Sequence, residues 1–125
     1  MNTRVLYLED NPMNSLVAIE MLDMMEITDV EHHTTLESLM NSLNANPSAD
    51  YDLIMLDIML PDGNSTQILP AIKARFSCPI LAFTARSQQA DIDHFQALGF
   101  TDVFLKPMAF DEFERRISAY VKVAS

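Results

Sequence analysis

The sequence predicts an α/β fold, a parallel sheet covered by helices on both faces, and three observations carry that prediction. Short β-rich runs alternate with helical patterns, and five such repeats fit in the 125 residues, as expected of parallel strands joined by crossover helices. The central runs, LIML over Leu53 to Leu56 above all, are continuously apolar, as strands buried on both faces should be. Each of three apolar runs ends on charge: RVLYL on Glu9 and Asp10, LIML on Asp57, and DVFL on Lys106. The length is typical of one domain and allows burial of about two-thirds of the unfolded surface, so a single domain over residues 1–125 is expected.

The elements follow in order. Arg4 to Leu8 is the first strand. Met13 to Met25 places Leu16, Val17, Ile19, Met21 and Leu22 at helical spacings, which predicts that these five form the inner face of the first crossover helix. Asp29 to Thr34 is polar enough, through Glu31, His32 and His33, to be an edge strand. Thr35 is a candidate N-cap for a short helix through Ser38, Leu39 and Leu43, broken by Asn46-Pro47-Ser48. Leu53 to Asp57 is the third strand. Ser65 to Phe76 is helical in pattern, but Pro70 cannot donate to the helix ladder and must kink the helix or delay its start. Ile80 to Phe83 is the fourth strand, and Ala90 to Leu98 is a helix closed by Gly99. Val103 to Lys106 is the fifth strand. Phe110, Phe113, Ile117, Tyr120 and Val121 line a final helix that runs to within a few residues of the end, leaving no room for an output domain.

Composition narrows the function. A net charge of −10 with eight scattered Lys and Arg residues argues against direct nucleic-acid contact. No stretch approaches the roughly 20 apolar residues of a membrane span, and the N-terminus lacks a signal pattern, so a cytoplasmic protein is expected. Cys78 has no internal partner and reads as a small buried hydrophobe at the start of a strand. With only Gly63 and Gly99, no glycine-rich phosphate cradle can be built, which disfavours nucleotide binding. The nine methionines read as core filler, with Met24 and Met25 near a helix end offering the alternative of a sticky partner surface. Adjacent in a strand, His32 and His33 point to opposite faces and make a poor metal pair, and His94 falls on an exposed helix face.

Right-handed crossovers bring the C-terminal ends of parallel strands to one edge, where open α/β sheets bind ligands. Glu9, Asp10, Asp57, Thr84 and Lys106 all sit at such ends. Asp10 or Thr84 alone could be explained as a cap, but the group together is harder to explain that way. Two carboxylates about 4 Å apart repel by roughly 4 kcal/mol at an effective dielectric near 20. The three carboxylates are balanced by Lys106 together with one divalent cation, and the oxygen ligands suit a hard ion such as Mg²⁺.

These residues lie in four motifs, LYLEDNPMN, LIMLDIMLPDGN, ILAFTARS and DVFLKP. Their order and spacing resemble the receiver domain of two-component response regulators over essentially the whole chain, in the stand-alone manner of a chemotaxis regulator. The resemblance implies a flavodoxin-like, doubly wound five-stranded parallel sheet of order 2-1-3-4-5 with five helices. It implies Asp57 as phosphoacceptor, Asp10 as a direct Mg²⁺ ligand, Glu9 as the second acid, and the Met59 backbone carbonyl as a further ligand, with Mn²⁺ as an alternative ion. Thr84, the Ala85 backbone N–H and Lys106 would hold the phosphoryl oxygens, and Lys106-Pro107 would be cis. The implied partners are a histidine kinase or histidine phosphotransfer protein and an effector, with no membrane and no nucleic acid. The family's usual output face would include Gln88, Asp91, His94, Asp102 and Glu112. Such a protein is no enzyme beyond its own phosphorylation and dephosphorylation.

One position departs from the family: three residues before the lysine an aromatic is usual, and here it is Val103. Phe104 cannot replace it, since side chains alternate across a strand. Two alternatives stand beside this reading. A phospho-aspartyl phosphatase would usually carry a second Asp two residues after the nucleophile, where this chain has Met59, and it would need a cap domain. An interaction module that keeps the fold without phosphorylation is disfavoured by the intact acidic pair, Asp57, Thr84 and Lys106, and weakly favoured by Val103.

Overall fold

A computed structural model of the protein describes residues 3–121. Five strands of one sheet, β1 (Arg4–Leu8), β2 (Asp29–His33), β3 (Leu53–Asp57), β4 (Ile80–Thr84) and β5 (Asp102–Leu105), alternate with five helices, and Met59–Leu60 pairs with Gly63–Asn64 in a separate short hairpin. The helices are α1 (Pro12–Met24), α2 (Leu36–Ala45), α3 (Leu69–Arg75), α4 (Gln89–Leu98) and α5 (Phe110–Ser118). The sheet runs β2-β1-β3-β4-β5 with every neighbour parallel, so the predicted order 2-1-3-4-5 is the observed one. Every residue of β3 and β4 is buried, whereas β2 at the edge is half-buried or exposed throughout.

Side-chain alternation divides the core in two. Leu6, Leu8, Ile54, Leu56, Ala82 and Val103 face α2, α3 and α4, where they meet Leu39, Ile72 and Phe95. Val5, Tyr7, Leu53, Met55, Leu81, Phe83 and Phe104 face α1 and α5, where they meet Ala18, Leu22, Phe113 and Ile117. Val103 and Phe104 therefore belong to different layers, as alternation requires.

The first helix departs from expectation. Its buried residues are Ser15, Ala18 and Leu22, while Leu16 is 53% and Val17 44% exposed. Ile19 and Met21 are only partly covered. The helix is apolar on nearly every side, so periodicity could not choose which side the sheet would take. The inner stripe runs from the small Ser15 and Ala18 to Leu22. Met24 is exposed and Met25 buried, so the methionines are not uniformly core.

Other boundaries shift for local reasons. Pro70 stands in the first turn of α3, where its missing N–H costs nothing, and the preceding Ser65–Gln67 is a separate 3₁₀ turn. Helix α5 ends at Ser118, so Tyr120 and Val121 lie past its end but still pack on the core. The expectation for the chain beyond Val121 lies outside the described residues. Gly99 closes α4 at φ +117°, and Cys78, just before β4, is half-buried rather than buried.

Candidate functional site

Strand parity assembles the site. Glu9 follows Tyr7, Asp57 follows Met55, and Lys106 follows Phe104 at intervals of two, so all three project on the α1/α5 side of the sheet edge. The ladder continues past the strand ends to hold them. Glu9 N–H donates to the His33 carbonyl at 3.0 Å, Ile58 N–H to Phe83 at 3.1 Å and Lys106 N–H to Thr84 at 2.8 Å. Thr84, in phase with Ala82, starts from the opposite side.

The Lys106 ammonium lies 2.6 Å from Glu9 Oε1 and 3.1 Å from Asp57 Oδ2. Both carboxylates are buried, with Glu9 1% and Asp57 8% exposed. One ammonium between two buried acids cannot satisfy both charges. Burial and then the hydrogen bond shared with Glu9 push Asp57 up to about 7, against the opposing pull of Lys106. Burial also raises Glu9, but the hydrogen bonds from Asp57 and Lys106 outweigh it and leave Glu9 below the usual carboxylate range. The closer ammonium contact thus favours the charged form of Glu9, and of the two acids Asp57 is the one disposed to take up a proton. Tyr7 is raised by burial and by the nearby Glu9 and Asp57 charges.

Asp10 is exposed and does not cap the first helix. That role falls to Asn11, whose Oδ1 accepts from Asn14 N–H at 3.0 Å. Among the described residues, donor oxygens of Glu9, Asp10 and Asp57 all lie within 4.8 Å of one another. A hard-oxygen cluster with a surplus of negative charge fits a Mg²⁺ ion. Buried Thr84 accepts from Arg86 N–H at 3.0 Å, and because a hydroxyl both accepts and donates, its proton is left to give. Met59 is exposed, and Lys106-Pro107 is cis. Glu9, Asp57, Thr84 and Lys106 line a cleft of about 500 Å³ whose other wall is apolar, with Val17, Met21, Phe83 and Phe113.

Some contributors carried no legible signal. The Asp62 carboxylate, in the turn after Asp57, accepts from Leu36 and Glu37 N–H at 3.0 Å each and so ties that turn to the start of α2. His33 bonds Glu31 and Ser38, whereas His32 reaches the Glu9 carbonyl. Of the expected output-face residues, His94 and Gln88 are exposed, but Asp102 is engaged by Arg116 at 3.0 Å and by the Tyr120 hydroxyl at 2.7 Å.

The family model for the response regulator receiver domain matches residues 5–118. The chain belongs to that family. Among curated relatives of this receiver, the transcriptional regulatory protein CiaR of Streptococcus pneumoniae is 38% identical over 76 residues, covering 60% of this chain and 34% of CiaR. The transcriptional activator protein IrlR of Burkholderia pseudomallei is 31% identical over 86 residues, covering 69% of this chain and 38% of IrlR. The receiver spans about a third of the length of these relatives. Among solved structures, the non-phosphorylated HemR receiver domain of Leptospira biflexa superposes with a TM-score of 0.82 at 26% identity, covering 99% of this chain and 98% of that one. The receiver domain of the sensor histidine kinase PA1611 of Pseudomonas aeruginosa, solved with a magnesium ion coordinated in its active-site cleft, gives 0.79 at 25% identity, covering 96% and 98%.

Proposed function

We propose that this receiver takes a phosphoryl group onto Asp57 from the phosphohistidine of a histidine kinase or phosphotransfer protein, and that the modification switches its protein contacts. The observation that supports this most is the Lys106 ammonium held between Glu9 and Asp57, with Asp10 completing a three-carboxylate cluster. An Asp57 oxygen forms the new bond to phosphorus as the donor's P–N bond breaks and the imidazole leaves. Glu9, Asp10, Asp57 and the Met59 carbonyl are the residues that would hold Mg²⁺, which supplies neutralisation of the two anions as they meet. Lys106 then pairs with one phosphoryl oxygen. The Thr84 hydroxyl and the Ala85 N–H donate to others.

Charge is the reason the switch can work, since a phosphoryl group adds nearly two negative charges and three strong acceptors. Drawing Thr84 toward them moves the loop before α4. With Val103 buried beside Ala82 in the core under α2, α3 and α4, this coupling proceeds by packing, without an aromatic rotamer at that position.

The test is incubation with Mg²⁺ and acetyl phosphate followed by intact-mass measurement. A single phosphoryl adduct is expected on the wild type and none on Asp57→Asn. No wild-type adduct, or an adduct that survives the substitution, sinks the phosphoacceptor reading. Steady turnover of a soluble phosphate ester would instead mark a phosphatase.

A further inference from the structure

His32 takes no part in the chemistry above, yet it touches the acidic cluster from behind. It stands on β2 directly beside Tyr7 of β1, and its Nε2 lies 2.9 Å from the Glu9 backbone oxygen. A carbonyl oxygen only accepts, so Nε2 carries the proton. The imidazole is braced by the Tyr7 ring, with centroids 5.3 Å apart and planes 27° from parallel. Meanwhile the N–H of Glu9 donates to the His33 carbonyl at 3.0 Å. Both backbone groups of Glu9 are thus held by consecutive residues of the edge strand.

Glu9 lies one residue beyond β1, in the short segment between the strand and Asn11, the N-cap of α1. Its carbonyl belongs to the planar Glu9-Asp10 peptide, so a bond to that oxygen orients the start of Asp10 as well. Asp10 is exposed and caps nothing, so its carboxylate depends on this peptide for its placement.

We infer that His32 is a positioning residue for divalent-cation binding: by holding the Glu9 carbonyl it sets the Glu9-Asp10 peptide plane and aims both carboxylates at one ion. The inference rests on the Mg²⁺ site of the proposed function. Outer partners that orient metal ligands typically change affinity about 10- to 100-fold when lost. Because His32 acts on the ligand's backbone rather than on its carboxylate, the low end is expected.

The experiment is calorimetric Mg²⁺ titration, with no phosphodonor present, of the wild type, His32→Phe and His32→Gln. Phenylalanine keeps a ring on Tyr7 but donates nothing, whereas glutamine can donate. Affinity should fall about tenfold in His32→Phe and return most of the way in His32→Gln, with thermal midpoints in EDTA close to the wild type. His32→Phe binding Mg²⁺ as the wild type does overturns the inference and leaves the phosphoacceptor reading intact. Equal weakening in both variants together with lowered midpoints overturns it too, by marking a merely structural role. A wild type that binds no Mg²⁺ removes both readings. Should His32→Phe fail to fold, nitrogen-15 NMR of the wild type decides: a slowly exchanging His32 Nε2–H is expected, and a neutral ring protonated on Nδ1 overturns the proposal.

Discussion

Replacing Asp57 with asparagine should make the metal-free protein more stable near pH 8, and by clearly less near pH 5. Asp57 is held at about 7 against an ordinary value of 3.8. Between those two values the folded protein binds a proton that the unfolded chain has released, so stability falls as pH rises through the window. A difference of this size corresponds to about 4 kcal/mol, a ceiling on what ionising Asp57 costs the fold. Asparagine keeps the shape but never ionises. It gives up the ion pair with Lys106 at 3.1 Å and leaves Glu9, the nearer partner, in full possession of the ammonium. The pull of Lys106 is already contained in that raised value, so taking half of the ceiling gives a net gain of about 2 kcal/mol near pH 8 and under about 1 kcal/mol near pH 5. With a urea slope of about 2 kcal/mol per molar, the midpoint should rise by about 1 M. Urea titrations of both proteins in EDTA near pH 5 and pH 8 measure it. A gain of equal size at both pH values, or a loss near pH 8, would show that the two carboxylates do not compete for one ammonium and would refute the reasoning.

Two further outcomes follow from the packing. Lys106→Met leaves two buried carboxylates without their counter-charge, so it should cost about 3 kcal/mol near pH 8 and clearly less near pH 5, where Asp57 carries a proton; an unchanged urea midpoint at pH 8 would contradict the ion-pair geometry. On α1, Leu22→Ala should cost about 3 kcal/mol as a cavity while Leu16→Ala stays within about 0.5 kcal/mol, and equal costs in thermal and urea unfolding would mean that the helix presents a different side to the sheet.

What could be read from the chain and what could not divide along physical lines. The continuous apolar run at Leu53 to Leu56 announced a strand covered on both faces, and the charges closing three such runs announced a common edge, because both signals are local. Alternation carried as far as separating Val103 from Phe104. Helix α1 failed for the opposite reason: with apolar residues on nearly every side, only the presence of the sheet selects Ser15, Ala18 and Leu22 as the inner stripe. The acids themselves were legible, but the division of charge between Glu9 and Asp57 depends on a lysine 97 positions away from Glu9. His32 and Asp62 were illegible as contributors, since each acts by bonding to backbone atoms whose neighbours in space no side-chain pattern encodes.

The sheet is also a partition. Glu9, Asp57 and Lys106 stand over the core shared by α1 and α5, while Thr84 starts from the side packed by α2, α3 and α4. A ligand gripped by both Lys106 and Thr84 therefore pulls on two cores that meet only through the strands between them. One event at the edge can be felt on two opposite faces of the molecule, and a substitution that silences one face need not silence the other.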